Sequence, residues 1–188
     1  MPTERSSTLE PEYVVLGLLL QRAGHGYDLH RRLQAEFGSL WRIPQNQLYT
    51  TLKRLETRGD ILGEERDSSV GRKRRHYKVT RRGRARFHRW LERPTPMSVR
   101  ALRVVFLTRL FLALGEDRET AERIFEAQRQ ALQGGVARLK QMTADPAKAG
   151  TLAGLSLDLR VRQLETTLAW MENARLEPEL GLSSKTPS

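Results

Sequence analysis

The stretch that decides the fold is Pro44-Gln-Asn-Gln-Leu-Tyr-Thr-Thr-Leu-Lys-Arg-Leu-Glu-Thr-Arg-Gly59. Three leucines, Leu48, Leu52 and Leu55, follow the spacing of one face of an α-helix, and polar side chains occupy the opposite face. Proline suits the first turn of a helix, and Gly59 suits the left-handed position that ends one. About 15 residues at roughly 1.5 Å each give a rod of about 22 Å, long enough to lie along a major groove. The stretch is therefore predicted to be a DNA recognition helix.

The composition predicts a globular protein. The 188 residues are 38% apolar, which is enough for one ordinary domain or two small ones. The absence of cysteine excludes disulfides, thiolate metal sites and cysteine nucleophiles, and it is compatible with a reducing cytoplasm. The longest apolar run, Tyr13–Leu20, is far shorter than the roughly 20 residues of a membrane span, and Met1–Pro11 lacks the pattern of a signal peptide. We predict a cytoplasmic location and no membrane contact.

The positive charge is concentrated in one half of the chain. The net charge is +11. Residues 1–94 contain 20 basic and 11 acidic residues, or +9, whereas residues 95–188 contain 13 and 11, or +2. Twelve of the basic residues lie between Arg66 and Arg93. Such a concentration is typical of a surface that binds a polyanion.

Two helices are predicted before the opening stretch. The run Tyr13–Leu20 is apolar on every side and is interpreted as a buried helix. The second helix follows from the spacing of Leu29, Leu33 and Phe37, and Gly38 ends it. The opening stretch is then the third helix.

A β-hairpin and a fourth helix are predicted after Gly59. Two plausible strands, Ile61–Arg66 and Arg74–Val79, flank a turn-rich basic tip. Thr80 suits the N-cap of a helix whose inner face carries Phe87, Trp90 and Leu91. Three helices, a basic hairpin and a fourth helix describe a winged helix-turn-helix.

A proline-rich link at Arg93–Pro96 divides the chain. The predicted fold class is mainly α with a small β-hairpin, in which a winged helix-turn-helix precedes a C-terminal α-helical dimerisation domain. The predicted parts are a tail at 1–10, the DNA-binding domain at 11–94, the helical domain at 95–176 and a second tail at 177–188.

The C-terminal part contains three predicted helices: Val99–Leu114, Asp117–Met142 and Thr151–Arg175. The third carries apolar residues at alternating spacings of four and three, which is typical of helices that pack at shallow angles. This seam suits either a helix pair within the chain or a dimer contact. Its residues are Leu157, Val161, Leu164, Leu168 and Met171.

The polar residues of the third helix and the hairpin suit contacts with DNA. Asn and Gln amides pair with adenine, whereas Lys, Arg and Tyr bind phosphates. The predicted helix contacts are Gln45, Asn46, Gln47, Tyr49, Thr50, Lys53 and Arg54, with the three amides reading bases. The predicted wing contacts are Arg72, Lys73, Arg74 and Arg75.

Three linked motifs also support this interpretation. They are His25–Leu29, Leu48–Ile61 and Gly71–Gly83, in this order within residues 13–93. Together they resemble the PadR family of bacterial transcriptional regulators. The resemblance implies a homodimer that responds to a ligand or to stress and most often represses transcription. Asp60 departs from the family pattern, and the sequence gives it no role.

Parts of the sequence also suit other functions. The main alternative is an architectural nucleic-acid-binding protein without an effector, and the basic tip alone would also suit a solvated loop. Trp90 and Trp170 are candidate effector-site residues, with ordinary packing as the alternative. The four histidines lack metal-ligand spacing, and we predict neither a metal nor a cofactor. An enzyme is not predicted, because no nucleophile, acid–base pair or phosphate loop stands out.

Overall fold

The computed structural model describes residues 10–67, 73–144 and 150–174. The N-terminal elements are α1 (Pro11–Gln21), β1 (Gly24–His25), α2 (Gly26–Phe37), α3 (Gln45–Thr57), β2 (Ile61–Asp67), β3 (Lys73–Val79) and α4 (Arg81–Leu91). The C-terminal elements are α5 (Val99–Ala101), a π-helical turn (Leu102–Phe106), α6 (Leu107–Leu114), α7 (Arg118–Thr143) and α8 (Leu152–Asn173). The predicted fold class, mainly α with a small β-hairpin, is confirmed. Across these described ranges no helix has both the length and the apolar character needed to cross a membrane.

Helix α1 lies at the centre of the fold. Every residue from Tyr13 to Leu19 is buried, as predicted for a helix that is apolar on all sides. The helix contacts α2, α3, α4, α6 and β3. Gly17 permits the close approach, because a Cβ there would lie 2.8 Å from Leu112 on α6 and 2.9 Å from Phe87 on α4.

The sheet contains the predicted hairpin and one strand that was not predicted. Its order is β1-β3-β2, all antiparallel. The hairpin strands each extend one residue further toward the tip than expected, to Asp67 and Lys73. Strand β1 pairs Gly24 with Tyr77 of β3. Two residues are too short to show a periodic pattern, which is why the sequence did not predict β1.

Helix α3 ends as the sequence predicted. Gly59 has a φ of 72°, in the left-handed region that favours glycine. The Gly59 N–H donates to the Glu56 carbonyl at 2.9 Å, and the Asp60 N–H donates to the Leu55 carbonyl at 2.9 Å. These two bonds form a Schellman motif, which directs the chain from α3 into the wing.

Asp60 has a structural role, which corrects the sequence analysis. Its side chain is buried, and its Oδ2 accepts a hydrogen bond from Arg86 Nη1 at 2.5 Å. Arg82 Nε lies 3.5 Å from the other oxygen, Oδ1. The Asp60 carbonyl also accepts the Thr80 N–H at 3.0 Å, and the Thr80 side chain caps α4 as predicted. Asp60 therefore joins the end of α3 to the start of α4.

The C-terminal helices pack directly on the N-terminal ones. Phe37 of α2 meets Phe111 of α6 edge to face, with 5.0 Å between the ring centres. The link residue Thr95 is buried, and its N–H donates to Gln128 of α7 at 2.9 Å. The predicted helix Val99–Leu114 contains a π-helical turn, whose wider winding buries Leu102, Val105 and Phe106 together. The predicted domain limits stay predictions.

The predicted seam of the last helix faces α7 of the same chain. Val161, Leu164 and Met171 are buried, and Leu157 and Leu168 pack against the core from partly exposed positions. Lys140 of α7 and Glu165 of α8 form an ion pair at 2.5 Å across the helix pair.

Replacing Asp60 by alanine is expected to lower the free energy of unfolding by about 2 to 4 kcal/mol, because Arg86 is left half-buried without its counter-charge. Urea denaturation followed by circular dichroism measures the change. The control is Asp158→Ala, which removes the solvent-exposed partner of Arg162 and should change the free energy by less than about 1 kcal/mol. Equal changes in both variants would contradict the role given to Asp60.

Candidate nucleic-acid interface

Helix α3 presents all of its predicted contact residues to solvent. The leucines on its inner face, Leu48, Leu52 and Leu55, have no exposed surface. The predicted contact residues all lie on the exposed side: Gln45, Asn46, Gln47, Tyr49, Thr50, Lys53 and Arg54. The helix is thus fixed from behind while its polar side chains remain accessible.

The N-terminal end of α3 carries three amide side chains in consecutive positions. Asn46 Oδ1 accepts the Gln47 N–H at 2.8 Å, and the Thr50 hydroxyl donates to the Asn46 carbonyl at 2.9 Å. These bonds orient Asn46 and Thr50. The Asn46 amide nitrogen still has two hydrogens with which to donate to a base.

The two cations predicted on α3 differ in their surroundings. Lys53 is exposed. Arg54 Nη1 lies 3.1 Å from Glu12 Oε1 on α1, and Arg58 lies 3.9 Å from the same oxygen. The charge of Arg54 is therefore partly compensated within the chain. The contact of Glu12 with α3 was not predictable from the sequence, because contacts between distant segments leave no periodic signal.

The wing arginines lie beside α3. Arg74 and Arg75 are exposed on β3. Arg75 Nη2 donates to Glu56 Oε1 of α3 at 2.5 Å, and this hydrogen bond raises the pKa of Arg75. Lys73 begins β3, whereas Arg72 lies outside the described residues.

A cleft of about 500 Å³ brings α3, the wing and the start of α2 to one surface. Tyr49 of α3 and Arg74 and Arg75 of the wing line it together with Tyr27. Gly26 permits this arrangement, because a Cβ there would lie 2.8 Å from the Tyr49 ring. Of the side chains predicted separately on the helix and the wing, Tyr49, Arg74 and Arg75 thus face the same cleft.

Comparison with known proteins finds a family model that matches the N-terminal elements. The model of the "Transcriptional regulator PadR-like family" matches residues 15–89. This range begins within α1 and ends within α4. Over these residues the protein is similar to the PadR-like family. The predicted resemblance is confirmed, and the family consists of transcriptional regulators rather than enzymes.

Several known proteins are similar to this chain. The chain is 26% identical over 129 residues to the "Negative transcriptional regulator PadR" of Bacillus subtilis, a match that covers 69% of this chain and 70% of that one. The crystal structure of Bacillus subtilis PadR in complex with operator DNA is 22% identical and covers 86% of this chain and 96% of that one, with a TM-score of 0.45. A PadR-like regulator from Bacillus cereus is 24% identical and covers 87% and 98%, with a TM-score of 0.39.

The two tryptophans proposed for an effector site lie in different surroundings. Trp90 is buried and stacks on Tyr13 of α1, with ring centres 4.9 Å apart. It lines a cavity of about 470 Å³ between link residues 93–97 and α7. Trp170 is 48% exposed on α8 and is not among the residues that line this cavity. The structure does not bring the two together in that cavity.

Arg109 is a further residue of this cavity that sequence analysis missed. Its guanidinium lies 4.8 Å from the centre of the Trp90 ring and donates to the Thr95 hydroxyl at 3.1 Å and to the Arg93 carbonyl. Burial, and secondarily the charge of Arg93, lowers the pKa of Arg109 to about 10. Among the described residues no carboxylate lies within ion-pair distance of it.

Helix α8 exposes a second apolar face, opposite the seam that packs on α7. Leu152, Leu155, Leu159 and Trp170 are between 48% and 83% exposed. By contrast, three of the five residues predicted for dimerisation, Val161, Leu164 and Met171, are already buried within the chain. No group of three histidines, aspartates or glutamates in the described ranges could hold a metal ion.

Proposed function

We propose that this PadR-like regulator binds a specific double-stranded DNA site, with α3 in the major groove and the wing on the adjacent backbone. The observation that carries the proposal is the common surface formed by the exposed face of α3 and the wing arginines. The concentration of positive charge in residues 1–94 supports it, because phosphate contacts supply most of the generic affinity for DNA.

Each predicted residue has a proposed role at this surface. The amides of Gln45, Asn46 and Gln47 contact base edges, since the first turns of a recognition helix enter the groove most deeply. Tyr49 donates a hydrogen bond to the DNA backbone, and Thr50, whose hydroxyl already donates to the Asn46 carbonyl, flanks the bases. Phosphate contacts are assigned to the remaining cations: Lys53, Arg54, Arg72, Lys73, Arg74 and Arg75.

The regulator is proposed to act in the cytoplasm as a homodimeric repressor. The Bacillus subtilis relative is named a negative transcriptional regulator, which supports repression. A two-fold dimer would bind a pseudo-palindrome with half-sites about 34 to 36 Å apart or a multiple of that distance. The exposed apolar face of α8 is the proposed dimer contact, because apolar side chains so exposed gain free energy when a second copy covers them.

The proposed effector site is the cavity beside Trp90. Among the described residues, three arginines and one carboxylate, that of Glu10, line it, so it suits an uncharged or anionic small molecule. The arginines are Arg93, Arg109 and Arg138. Helix α1 connects the cavity to α3: Tyr13 stacks on Trp90, and the preceding residue, Glu12, forms the ion pair with Arg54. A ligand that moved Trp90 would therefore displace a partner of the recognition helix.

Replacing Asn46 or Gln47 by alanine is expected to weaken binding to the selected DNA site by about 1 to 3 kcal/mol and to leave binding to random DNA nearly unchanged. The reason is that base-edge contacts exist only on the correct sequence. The selected site is obtained by enriching a random duplex library on the purified protein, and affinities are measured by fluorescence anisotropy.

The same assay tests the alternative of an architectural protein. Such a protein would bind selected and random duplexes equally, whereas a sequence-specific regulator should prefer its site by a factor of at least about 10³. If the alanine substitutions weaken binding to both duplexes equally, Asn46 and Gln47 do not read bases.

Replacing both Leu155 and Leu159 by glutamate is expected to produce monomers that bind the selected site weakly, because charge cannot be buried in an apolar dimer contact. Sedimentation velocity measures the oligomeric state. Ala137→Glu, on an exposed position of α7 rather than α8, is the control and should leave a dimer. An intact dimer in the double variant would place the interface elsewhere.

Replacing Gly134 by leucine is expected to abolish release from DNA by a screened effector while DNA binding persists. Gly134 lines the cavity, and the nearest atom to an added Cβ is Arg138 Nη1 at 3.5 Å, so a larger side chain fits and fills the space. Ala137→Leu, on the exposed side of α7, should respond to the effector like the wild type. Normal release from the Gly134 variant would exclude this cavity.

A further inference from the structure

A single carboxylate joins the recognition helix to both strands of the wing. Glu56 Oε1 on α3 accepts the backbone N–H of Gly63 on β2 at 3.1 Å and Arg75 Nη2 on β3 at 2.5 Å. We call these three residues the Glu56 clamp. Because an ionised acceptor forms the stronger type of hydrogen bond, the clamp is stiffer than a contact between neutral groups.

Gly63 provides an independent indication that the clamp is built into the fold. It lies inside strand β2 opposite Tyr77, where most side chains would be suitable. A Cβ at this position would lie 2.5 Å from Arg75 Nε, 2.6 Å from Glu56 Oε1 and 3.1 Å from Tyr77 Cε1. The clamp therefore occupies the space that a side chain at residue 63 would need.

The clamp also changes the charge that the wing offers to DNA. Arg75 is 49% exposed, so its guanidinium remains accessible to a phosphate while one of its nitrogens is bound to Glu56. Glu56 is 26% exposed and carries an opposing charge at the same point. A phosphate that approaches Arg75 therefore meets a cation that is partly neutralised and fixed in direction.

We propose that Glu56 is a specificity-determining positioning residue. By holding Gly63 and Arg75, it fixes the angle between the wing and α3, so that Arg75 reaches a phosphate well only when α3 lies in its correct register. On random DNA the same ion pair competes with the phosphate and weakens generic binding. The inference rests on the proposed function, since it assumes that α3 and the wing bind DNA together.

The test is Glu56→Gln in the full-length protein. Glutamine keeps an oxygen for the Gly63 N–H and removes the charge that holds Arg75. The affinity for a shuffled duplex is expected to rise at least about threefold. The slope of the logarithm of that affinity against the logarithm of the salt concentration should steepen by up to about 0.9, the value for one additional phosphate contact. Binding to the duplex selected by the wild-type protein should not strengthen, so the ratio of the two affinities falls.

Three comparisons separate positioning from a simple change of charge. Glu64→Gln removes a carboxylate from β2 that pairs with Lys78. It should strengthen binding to both duplexes alike and leave the ratio of the two affinities unchanged. Glu56→Gln combined with Arg75→Gln should not show the steeper salt dependence of Glu56→Gln alone. Arg75→Lys keeps the charge but cannot reproduce the guanidinium geometry, and it should lower the ratio even if the Glu56 variant folds poorly.

The outcomes distinguish this inference from the proposed function. If the wild-type protein binds both duplexes equally, the proposed function itself is wrong. Two results in a wild-type background that discriminates between the duplexes would contradict the positioning role of Glu56 and leave the proposed function standing. In the first, Glu56→Gln and Arg75→Lys both keep the wild-type ratio of affinities. In the second, Glu56→Gln changes this ratio no more than Glu64→Gln does.

Discussion

The burial of α1 is the constraint on which the rest of the structure depends. A helix that is apolar on every side is stable in water only when other elements surround it, and α2, α3, α4 and α6 do so here. The inner leucines of α3 pack on this assembly, which leaves only the polar side of α3 exposed. Because α6 belongs to the C-terminal part, α3 and the C-terminal helices rest on the same core.

Three acidic residues then determine how the basic surface is arranged. Glu12 holds Arg54 at one side of α3, Glu56 holds Arg75 of the wing, and Asp60 joins the end of α3 to Arg86 of α4. Only Asp60 is fully buried, so its ion pair contributes mainly to the fold. The ion pairs of Glu12 and Glu56 are partly exposed and stabilise the fold little. They do fix the directions of two of the many cations in a chain with a net charge of +11.

The sequence predicted those features that depend on local patterns. The helix from Gln45 to Thr57, its left-handed end at Gly59 and the hairpin follow from periodicity and turn chemistry, which act over a few residues. Strand β1, the roles of Glu12, Glu56 and Asp60, and the burial of Arg109 depend on residues that are distant in the sequence. The seam of α8 shows the same limit, since spacing identifies an apolar face without stating whether its partner is α7 or another chain.

In the proposed function, the position of α1 would let a signal in the C-terminal part reach α3 without a long pathway. Four residues that touch one another in space connect the cavity to α3, and all of them lie on packed helices. They are Trp90, Tyr13, Glu12 and Arg54. Packed helices shift as units rather than deform continuously, so a ligand needs to bind only one arrangement of Trp90 and Tyr13 more tightly to bias the position of α3. A preference of about 1.4 kcal/mol between two such arrangements would change the proportion of DNA-competent protein about tenfold. The ion pair of Glu12 and Arg54 is only partly screened by solvent, because Glu12 is 12% and Arg54 48% exposed, and it is the contact that links this chain of residues to α3.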